Sequence, residues 1–258
     1  MPAPVNPFKK ALCEGQDLLI GLWVALANSH AAEIVAGAGF DWILLDGEHG
    51  PNDIPLLAQQ LAAVARHPAH PIVRLPMGET WLIKQALDIG AQTLLIPMVE
   101  TGEQAAQIAS ACRYPPEGNR GMGASLGRAS DFGRIKDYAE TANREICLVA
   151  QIESRLGVDN ADAILATPGI DAILIGPADL AADMGYPGTS SHPEVKAVVE
   201  ALIARIRAAG KPAGIMTTDP DMLAVAKSAG IRFAGIGSDV GLLMSGAAAL
   251  AKASRQAS

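Results

Sequence analysis

Cysteine is scarce in the 258-residue sequence, which contains only Cys13, Cys112 and Cys147. Their number is odd and no two of them have a Cys-x-x-Cys spacing, so we expect neither a disulfide framework nor a zinc site built from thiolates. We interpret the three residues as buried or idle thiols in a reducing cytoplasm. The sequence thus gives no indication of cysteine chemistry.

Two further features are missing, a long apolar run and an excess of positive charge. No stretch approaches the roughly 20 apolar residues of a membrane span, and the N-terminal segment MPAPVNPFKKAL has no apolar core after its basic pair. We therefore expect a cytoplasmic protein. The 27 acidic residues exceed the 20 Lys and Arg residues and give a net charge of -7, which would repel phosphate backbones and acidic membranes. Neither nucleic acid nor a membrane is an expected partner.

Apolar residues are abundant instead. They make up 50% of the sequence, against 18% charged residues, which suffices for a large core and argues against disorder. The length of 258 residues also suits a barrel, since such domains commonly have about 250 residues. We therefore treat residues 1–258 as a single domain.

Eight short and nearly continuous apolar runs alternate with segments whose apolar residues recur every three or four positions. The runs are 20–26, 40–46, 71–75, 93–98, 145–153, 171–176, 212–216 and 232–237, and several of the intervening segments close with a glycine. Such runs are typical of parallel strands covered by helices. The pattern predicts an α/β protein with a closed (β/α)₈ TIM barrel, and a doubly wound open sheet is the structural alternative. Both architectures place their chemistry at the carboxyl ends of the strands.

One long connection, from residue 113 to about residue 143, interrupts this alternation. It begins with the rigid pair Pro115-Pro116, and glycines at positions 118, 121, 123 and 127 would let the backbone approach another group closely. Loops of this length in a compact domain more often belong to an active site or an interface than to neutral filler. We expect one of these two roles.

Polar residues gather at the predicted carboxyl ends of four strands. Gln151 and Glu153 are two positions apart, so both side chains should point to the same face. The full set is Asp46, Glu48 and His49 after the second strand, Arg74 at the third, Gln151 and Glu153 at the fifth, and Asp179 after the sixth. We expect these residues to face a shared cleft.

Lysine is absent from these strand ends, which disfavours an aldolase that works through a Schiff base. Carboxylates without a lysine indicate a hard cation instead, and we predict that Glu153 and Asp179 bind Mg²⁺ or Mn²⁺, with Co²⁺ or Zn²⁺ possible by substitution. A 2-oxo acid could chelate this cation, which would stabilise an enolate. Arg74 could support the enolate oxygen, and His49 could act as the general base.

Each of these residues also has a plainer interpretation. A single acid at a strand end can be a helix N-cap, Asp46 can cap the turn before His49, and Glu48 can be a structural neighbour or orient a ligand. The AGIGSD turn at 234–239 is either a phosphate cradle or a tight turn capped by Ser238 or Asp239. We interpret the other histidines as structural; they are His30, His67, His70 and His192.

Several strings resemble those of the HpcH/HpaI aldolase family. They are FDWILLDGEHGPND (40–53), QTLLIPMV (92–99), RYPPEGNRGMG (113–123), VAQIES (149–154) and IGPADLAADMGYPG (175–188). The resemblance implies a class II pyruvate aldolase that joins pyruvate, or an analogue such as hydroxypyruvate, reversibly to an aldehyde. It also implies a barrel whose last helix is swapped with a neighbour, a homohexamer built as a trimer of dimers, and a place in aromatic compound catabolism.

The resemblance also assigns roles to individual residues. It makes Glu153 and Asp179 the metal ligands, His49 the acid/base and Arg74 the group that stabilises the enolate. The oxo acid would bind Gln151 and the backbone of Ala178 and Asp179. Asp88, which the residues alone mark as a surface charge at a helix end, would raise the basicity of the histidine of an adjacent subunit. The aldehyde would lie near the more variable segments 78–80, 119–127 and 217–218.

Other functions remain open at this level. An acyl-CoA lyase of the malyl-CoA or citramalyl-CoA type would need a basic groove, and no cluster of Lys and Arg provides one. A phosphosugar isomerase or epimerase would use the AGIGSD turn. A binding module without catalysis would leave the strand-end residues unexplained.

Overall fold

The computed structural model describes residues 1–256 and contains a closed barrel of eight parallel strands. Each strand pairs with the next, and β8 pairs with β1. The strands are β1 (Leu19–Val24), β2 (Trp42–Asp46), β3 (His70–Arg74), β4 (Thr93–Ile96), β5 (Cys147–Ile152), β6 (Ala172–Ile175), β7 (Ala213–Met216) and β8 (Phe233–Ser238). The predicted barrel is confirmed, and the open sheet is excluded.

Helices surround the barrel, and those between the strands return the chain to the amino end of the next strand. They are α1 (Pro7–Glu14), α2 (Ser29–Ala36), α3 (Ile54–Val64), α4 (Thr80–Asp88), α5 (Gly102–Ala111), α6 (Tyr138–Glu145), α7 (Arg155–Asp159), α8 (Ala161–Ala166), α9 (Pro177–Asp183), α10 (Pro193–Ala208), α11 (Pro220–Ala229) and α12 (Asp239–Gln256). A short 3₁₀ turn lies at Arg128–Ser130. No helix within this described range is long and apolar enough to cross a membrane.

The interior of the barrel is filled by large apolar side chains. Trp42 and Phe233 from the strands lie close to Phe8 of α1, at ring-centroid distances of 6.1 and 5.7 Å. Leu12, one helical turn after Phe8, is also buried. Because Phe8 packs beside strand residues near the amino ends of β2 and β8, α1 closes that end of the barrel.

Helix α12 projects away from the barrel. Asp239 anchors its first turn, because its carboxylate accepts hydrogen bonds from the backbone N–H groups of Ala25 (2.9 Å) and Leu26 (3.1 Å). Every residue of 241–256 is exposed, including four large apolar residues: Leu242, Leu243, Met244 and Leu250. The last helix thus leaves an apolar face that no residue between positions 1 and 256 covers.

The long connection lies at the amino end of the barrel. It joins the end of α5 to the start of β5, and both of these points are at the face opposite the strands' carboxyl ends. Tyr114 and Tyr138 pack edge to face there at 6.5 Å. Within one chain, segment 119–127 is therefore remote from the predicted site, and it could contact an aldehyde only in a neighbouring subunit.

Candidate active site

Glu153 follows β5 directly and is almost fully buried. One carboxylate oxygen, Oε1, accepts a hydrogen bond from the backbone N–H of Met98 at 3.0 Å. The other, Oε2, accepts one from the side-chain amide of Gln151. Each oxygen keeps a lone pair, so the carboxylate is oriented without being saturated.

Asp179 is exposed in the first turn of α9, close enough for its charge to raise the pKa of Glu153. Helix α9 begins at Pro177, so the N–H groups of Ala178 and Asp179 have no acceptor within the helix. Gly176 provides the necessary space, because a Cβ atom there would collide with Glu153 Oε2. The glycine allows β6 and α9 to approach the Glu153 carboxylate closely.

Arg74 links two acids, Asp46 at the end of β2 and Glu48 just after it. Asp46 and Arg74 are paired across β2 and β3, and Arg74 donates from Nε (2.9 Å) and Nη2 (2.7 Å) to the two oxygens of Asp46. Its Nη1 atom lies 2.7 Å from Glu48 Oε2. Five N–H groups are available on a guanidinium, so two of them remain for a ligand.

His49 is placed by the same turn. Asp46 Oδ1 also accepts hydrogen bonds from the backbone N–H groups of Glu48 (3.0 Å) and His49 (3.3 Å). The expected capping role of Asp46 is therefore present, together with its ion pair to Arg74. The side chain of His49 is 67% exposed, and its Nε2 lies 3.8 Å from Glu48 Oε2. This imidazole is free to meet a ligand at the mouth of the barrel.

Two acids of the site, Glu153 and Glu48, have raised pKa values. Burial raises the pKa of Glu153 to about 7, against hydrogen bonds from Met98 and Gln151, and repulsion from Asp179 and Glu48 adds to the rise. Burial likewise raises the pKa of Glu48, although the charges of Arg74 and His49 oppose it. The charges of buried Glu153, partly buried Glu48 and exposed Asp179 thus repel one another, and a positive ligand would relieve this repulsion.

The donor set fits a hard divalent cation. Glu153 and Asp179 offer carboxylate oxygens, which Mg²⁺ and Mn²⁺ prefer. Beside them, Oε1 of Gln151 is buried and has no hydrogen-bond partner. No group of three or more His, Cys, Asp or Glu residues within 1–256 is arranged around a metal position. Two protein carboxylates leave the remaining coordination positions to water and substrate.

Cation binding should strengthen as the pH rises toward about 7. The Glu153 carboxyl must lose its proton to bind a metal, and its raised pKa of about 7 makes this loss a cost below that pH. We expect Mn²⁺ affinity to rise by up to about tenfold per pH unit below 7 and to level off above it. Calorimetric titrations at pH 6, 7 and 8, in buffers of different ionisation enthalpy, would measure the affinity and the proton released. An affinity that is constant from pH 6 to 8 would contradict the expectation.

The same shift has the opposite consequence for folding of the metal-free protein. Because the folded-state pKa of Glu153 is raised from 4.5 to about 7, its contribution to stability is complete below pH 4.5 and is lost as the pH rises through 7. Metal affinity and apoprotein stability should therefore change in opposite directions over this range.

Asp88 lies away from this group. It is the last residue of α4, which starts near the carboxyl end of β3 and runs back toward the amino end of β4. Its Oδ1 accepts a hydrogen bond from Nη2 of Arg120 at 2.7 Å, and the guanidinium of Arg120 is stacked 4.3 Å from the centre of the Tyr114 ring. Within one chain Asp88 and His49 are at opposite ends of the barrel. Asp88 is thus the partly exposed partner of a buried arginine and not an isolated surface charge.

The AGIGSD turn has the plainer of its two predicted structures. Ser238 Oγ accepts a hydrogen bond from the N–H of Gly241 at 3.1 Å, so the hydroxyl caps the start of α12. The buried carboxylate of Asp239 adds negative charge beside this turn. Both observations disfavour a phosphate at this position.

Three of the remaining histidines have evident structural contacts. His70 is buried, stacks on Phe8 at 5.8 Å and binds the hydroxyl of Thr93 at 2.8 Å, and burial lowers its pKa to about 4. His192 caps α10 by accepting a hydrogen bond from the N–H of Glu194. His67 lies 3.7 Å from Glu33.

Two contributors to the site are not evident in the sequence. The backbone N–H of Met98 binds Glu153, and Met98 has a left-handed conformation, with φ of 51°, that no local pattern predicts. Gly176 contributes by lacking a Cβ atom, which leaves room for the side chains of Glu153 and Gln151. The only sequence signals are the Pro97 that ends a strand and the Gly-Pro pair at 176–177, and neither identifies a partner.

A parallel barrel with a cluster of acids, an arginine and a histidine at the carboxyl ends of its strands has the architecture of a (β/α)₈ enzyme. The model of the HpcH/HpaI aldolase/citrate lyase family matches residues 19–246. The chain belongs to this family. The expected family is confirmed, and so is the expected class of enzyme, a carbon–carbon lyase of the aldolase type.

Individual relatives agree with this placement. A hydroxypyruvate/pyruvate aldolase of Roseobacter denitrificans is 52% identical over 244 residues, which cover 95% of each chain. A 2-keto-3-deoxy-L-rhamnonate aldolase of Salmonella gallinarum is 53% identical over 234 residues, which cover 91% of this chain and 87% of the relative. A crystal structure of a family member from Burkholderia cenocepacia, 39% identical, superposes with a TM-score of 0.93 and covers 97% of this chain and 100% of its own.

Proposed function

We propose that the protein is a metal-dependent aldolase that reversibly cleaves 4-hydroxy-2-oxo acids to an aldehyde and pyruvate or hydroxypyruvate. The observation that best supports this function is the pair formed by the oriented carboxylate of Glu153 and Asp179 in the first turn of α9. Relatives named as aldolases for hydroxypyruvate and pyruvate support the choice of oxo acid.

Glu153 and Asp179 would hold the cation, with Mg²⁺, Mn²⁺ and Co²⁺ as candidates and Zn²⁺ as a substitute. When bound, a divalent cation would polarise the keto group of the oxo acid and acidify the adjacent C–H bond. The second N–H of the Gln151 side-chain amide, beside the one bound to Glu153, and the free N–H groups of Ala178 and Asp179 would bind the oxygens of the oxo acid. These groups lie on β5 and α9, next to both ligands.

Arg74 would stabilise the negative oxygen of the enolate. Its guanidinium is buried and fixed by Asp46 and Glu48, so its remaining N–H groups need no reorientation during the reaction. His49 would accept the proton of the 4-hydroxyl group during cleavage and return it during aldol addition. Its exposed position at the mouth suits contact with the aldehyde portion of the substrate.

The two alternative enzymes have less support. A phosphosugar isomerase or epimerase requires a phosphate site, and the AGIGSD turn is occupied by its own caps and by the Asp239 carboxylate. For an acyl-CoA lyase, the acids at the mouth of the barrel provide negative charge where a CoA phosphate would need positive charge. The aldolase reaction, by contrast, gives a role to each polar group assigned above: the acids, Gln151, Arg74 and His49.

The function can be tested with metal-free protein reconstituted separately with Mg²⁺, Mn²⁺ and Co²⁺. We expect metal-dependent exchange of the C3 protons of pyruvate, followed by aldol addition when aldehydes are screened with pyruvate and hydroxypyruvate. The exchange is measured by NMR in D₂O. Exchange that persists after thorough chelation would refute metal dependence, and turnover of malyl-CoA in place of oxo acids would favour the acyl-CoA lyase.

Assembly into a homohexamer, a trimer of dimers, remains part of the proposal. Helix α12 presents Leu242, Leu243, Met244 and Leu250 to solvent, and exchange of this helix between subunits would cover them. Asp88 lies at the opposite end of the barrel from its own His49, so only a neighbour's Asp88 could raise the basicity of that histidine. The exposed residues Met122, Leu126 and Phe132 of the long connection would lie in the same interfaces.

We expect Leu243→Glu to dissociate the assembly. A charge at an exposed position of a monomer changes stability by only about 0.5 kcal/mol or less, but a charge in an apolar interface is left unpaired and buried. Sedimentation velocity would show smaller species for this variant. Val5→Glu, at another exposed apolar residue, is the control. Identical sedimentation of both variants and the wild type would refute exchange of α12 through this face.

Participation in aromatic compound catabolism and a cytoplasmic location stay predictions from the resemblance and from the sequence. The screen of aldehydes described above addresses the first of them, since it identifies the preferred acceptor.

A further inference from the structure

The orientation of Glu153 depends on an unusual backbone conformation. Met98 donates its N–H to Glu153 Oε1 at 3.0 Å, and its φ of 51° lies in the left-handed region. Residues with a Cβ atom adopt this conformation only when surrounding contacts hold it. The contacts that hold Met98 therefore also position the N–H group that binds Glu153 Oε1.

Gln104 makes two such contacts. Its amide Nε2 donates to the carbonyl oxygen of Met98 at 3.1 Å, and its Oε1 accepts from the backbone N–H of Glu100 at 2.8 Å. One planar amide thus binds two residues of the same turn, on either side of Val99. The Met98–Glu100 segment is thus held by a side chain of α5, in addition to the backbone hydrogen bond from the Val99 N–H to the Gln151 carbonyl oxygen at 3.1 Å.

The far end of this turn is fixed as well. The side chain of Glu100 accepts a hydrogen bond from Ser154 Oγ at 2.7 Å, and its carbonyl accepts one from Asn160 Nδ2 at 2.8 Å. Ser154 is the residue that follows Glu153. The turn after β4 is therefore joined to the segment after β5, and Gln104 provides the side-chain hydrogen bond to Met98 itself.

A simpler role for Gln104 would be helix capping. Thr101 and Gln104 have the spacing of a capping box, and the N–H of Gln104 is indeed bound by Thr101 Oγ1 at 3.1 Å. In a capping box the glutamine would return to the N–H of the N-cap residue, Thr101. Here its side chain passes that residue and binds Glu100 and Met98 instead. Capping alone does not explain the bond to the Met98 carbonyl.

We propose that Gln104 is a positioning residue for Glu153: its amide holds Met98 in the left-handed conformation that directs the Met98 N–H at the carboxylate. The proposal rests on the assignment of Glu153 as a metal ligand. Groups that orient metal ligands commonly change metal affinity by 10- to 100-fold when they are removed. Gln104 acts one hydrogen bond further away, so we expect the lower end of that range.

Two variants of the full-length protein separate the two hydrogen bonds. Gln104→Met has a similar length and removes both, whereas Gln104→Glu retains an acceptor for the Glu100 N–H and loses the donor to Met98. Gln107→Met, at an exposed position of the same helix, is the matched control. The Mn²⁺ dissociation constant would be measured from the electron paramagnetic resonance signal of free Mn²⁺, and unfolding temperatures would be recorded in parallel.

We expect both Gln104 variants to bind Mn²⁺ about tenfold more weakly than the wild type, with Gln107→Met unchanged. At saturating Mn²⁺, most of the pyruvate exchange rate should return, because no group that contacts substrate has been altered. Unchanged Mn²⁺ affinity in both variants, even with a lower unfolding temperature, would reduce Gln104 to a helix cap and overturn the proposal. If Gln104→Glu binds Mn²⁺ normally while Gln104→Met does not, the hydrogen bond to the Met98 carbonyl is not what positions Glu153. A wild-type protein that neither binds Mn²⁺ nor exchanges pyruvate protons would instead refute the proposed function itself.

Discussion

Replacing Glu153 with glutamine should reduce metal-dependent exchange of the pyruvate C3 protons by at least about 10³-fold. The substitution preserves the shape of the side chain but removes the charge that a divalent cation requires. A factor of 10³ corresponds to ~4 kcal/mol, which is within the several kcal/mol that a bound cation contributes to stabilisation of developing charge. Asp179→Asn should have a comparable effect, because each residue would supply one of the two protein ligands.

The measurement is proton exchange in D₂O together with a Mn²⁺ titration of each variant. Glu103→Gln is the matched control, since Glu103 is exposed in the first turn of α5 and lies outside the acid cluster. The control should retain the wild-type rate and affinity. If Glu153→Gln and Asp179→Asn both bind Mn²⁺ normally, the cation site must lie elsewhere in the molecule.

The second large effect is expected for Arg74→Met, which should lower both stability and activity. The variant leaves Asp46 and Glu48 without their cation, and removal of one partner from a buried ion pair typically costs about 3–5 kcal/mol. The loss of the donors proposed for the enolate oxygen should reduce exchange by about 10²- to 10³-fold. Denaturant unfolding measures the first effect, and the NMR exchange assay measures the second.

Two further variants separate these contributions. Arg66→Met removes an exposed arginine paired with Glu33, and such pairs contribute only about 0–1 kcal/mol. Arg74→Lys keeps the charge but cannot reproduce the two bonds to Asp46 together with the contact to Glu48. We expect it to recover part of the unfolding free energy and little of the exchange. Wild-type stability in Arg74→Met would show that Asp46 and Glu48 do not depend on the guanidinium.

Much of the barrel could be predicted because its signal is local. The eight apolar runs match the eight strands to within three residues at each end, with 145–153 predicted for Cys147–Ile152 and 232–237 for Phe233–Ser238. Parallel strands then bring their carboxyl ends to one face whatever their separation in sequence. This geometry places Asp46 beside Arg74 and Gln151 beside Glu153, as the positions of these residues indicated.

The remaining features depend on distant contacts that no local pattern records. The left-handed backbone of Met98 follows from an amide six residues later, and the role of Gly176 follows from a carboxylate on another strand. The exposed face of α12 could not be predicted either, since an apolar stripe on a last helix would ordinarily pack on its own barrel. Exchange of this helix between subunits was predicted from the resemblance to a family. The composition of the helix alone does not indicate it.

Aromatic side chains close the amino end of the barrel, so the barrel is open only at the carboxyl ends of its strands. Phe8, Trp42 and Phe233 fill the floor, so nothing can cross the molecule along the barrel axis. Oxo acid, aldehyde and cation would all pass through the same opening, beside His49 and Glu48. A bulky group introduced at that rim would therefore slow the entry of every ligand together, and substitutions in the floor would alter stability without opening a second route.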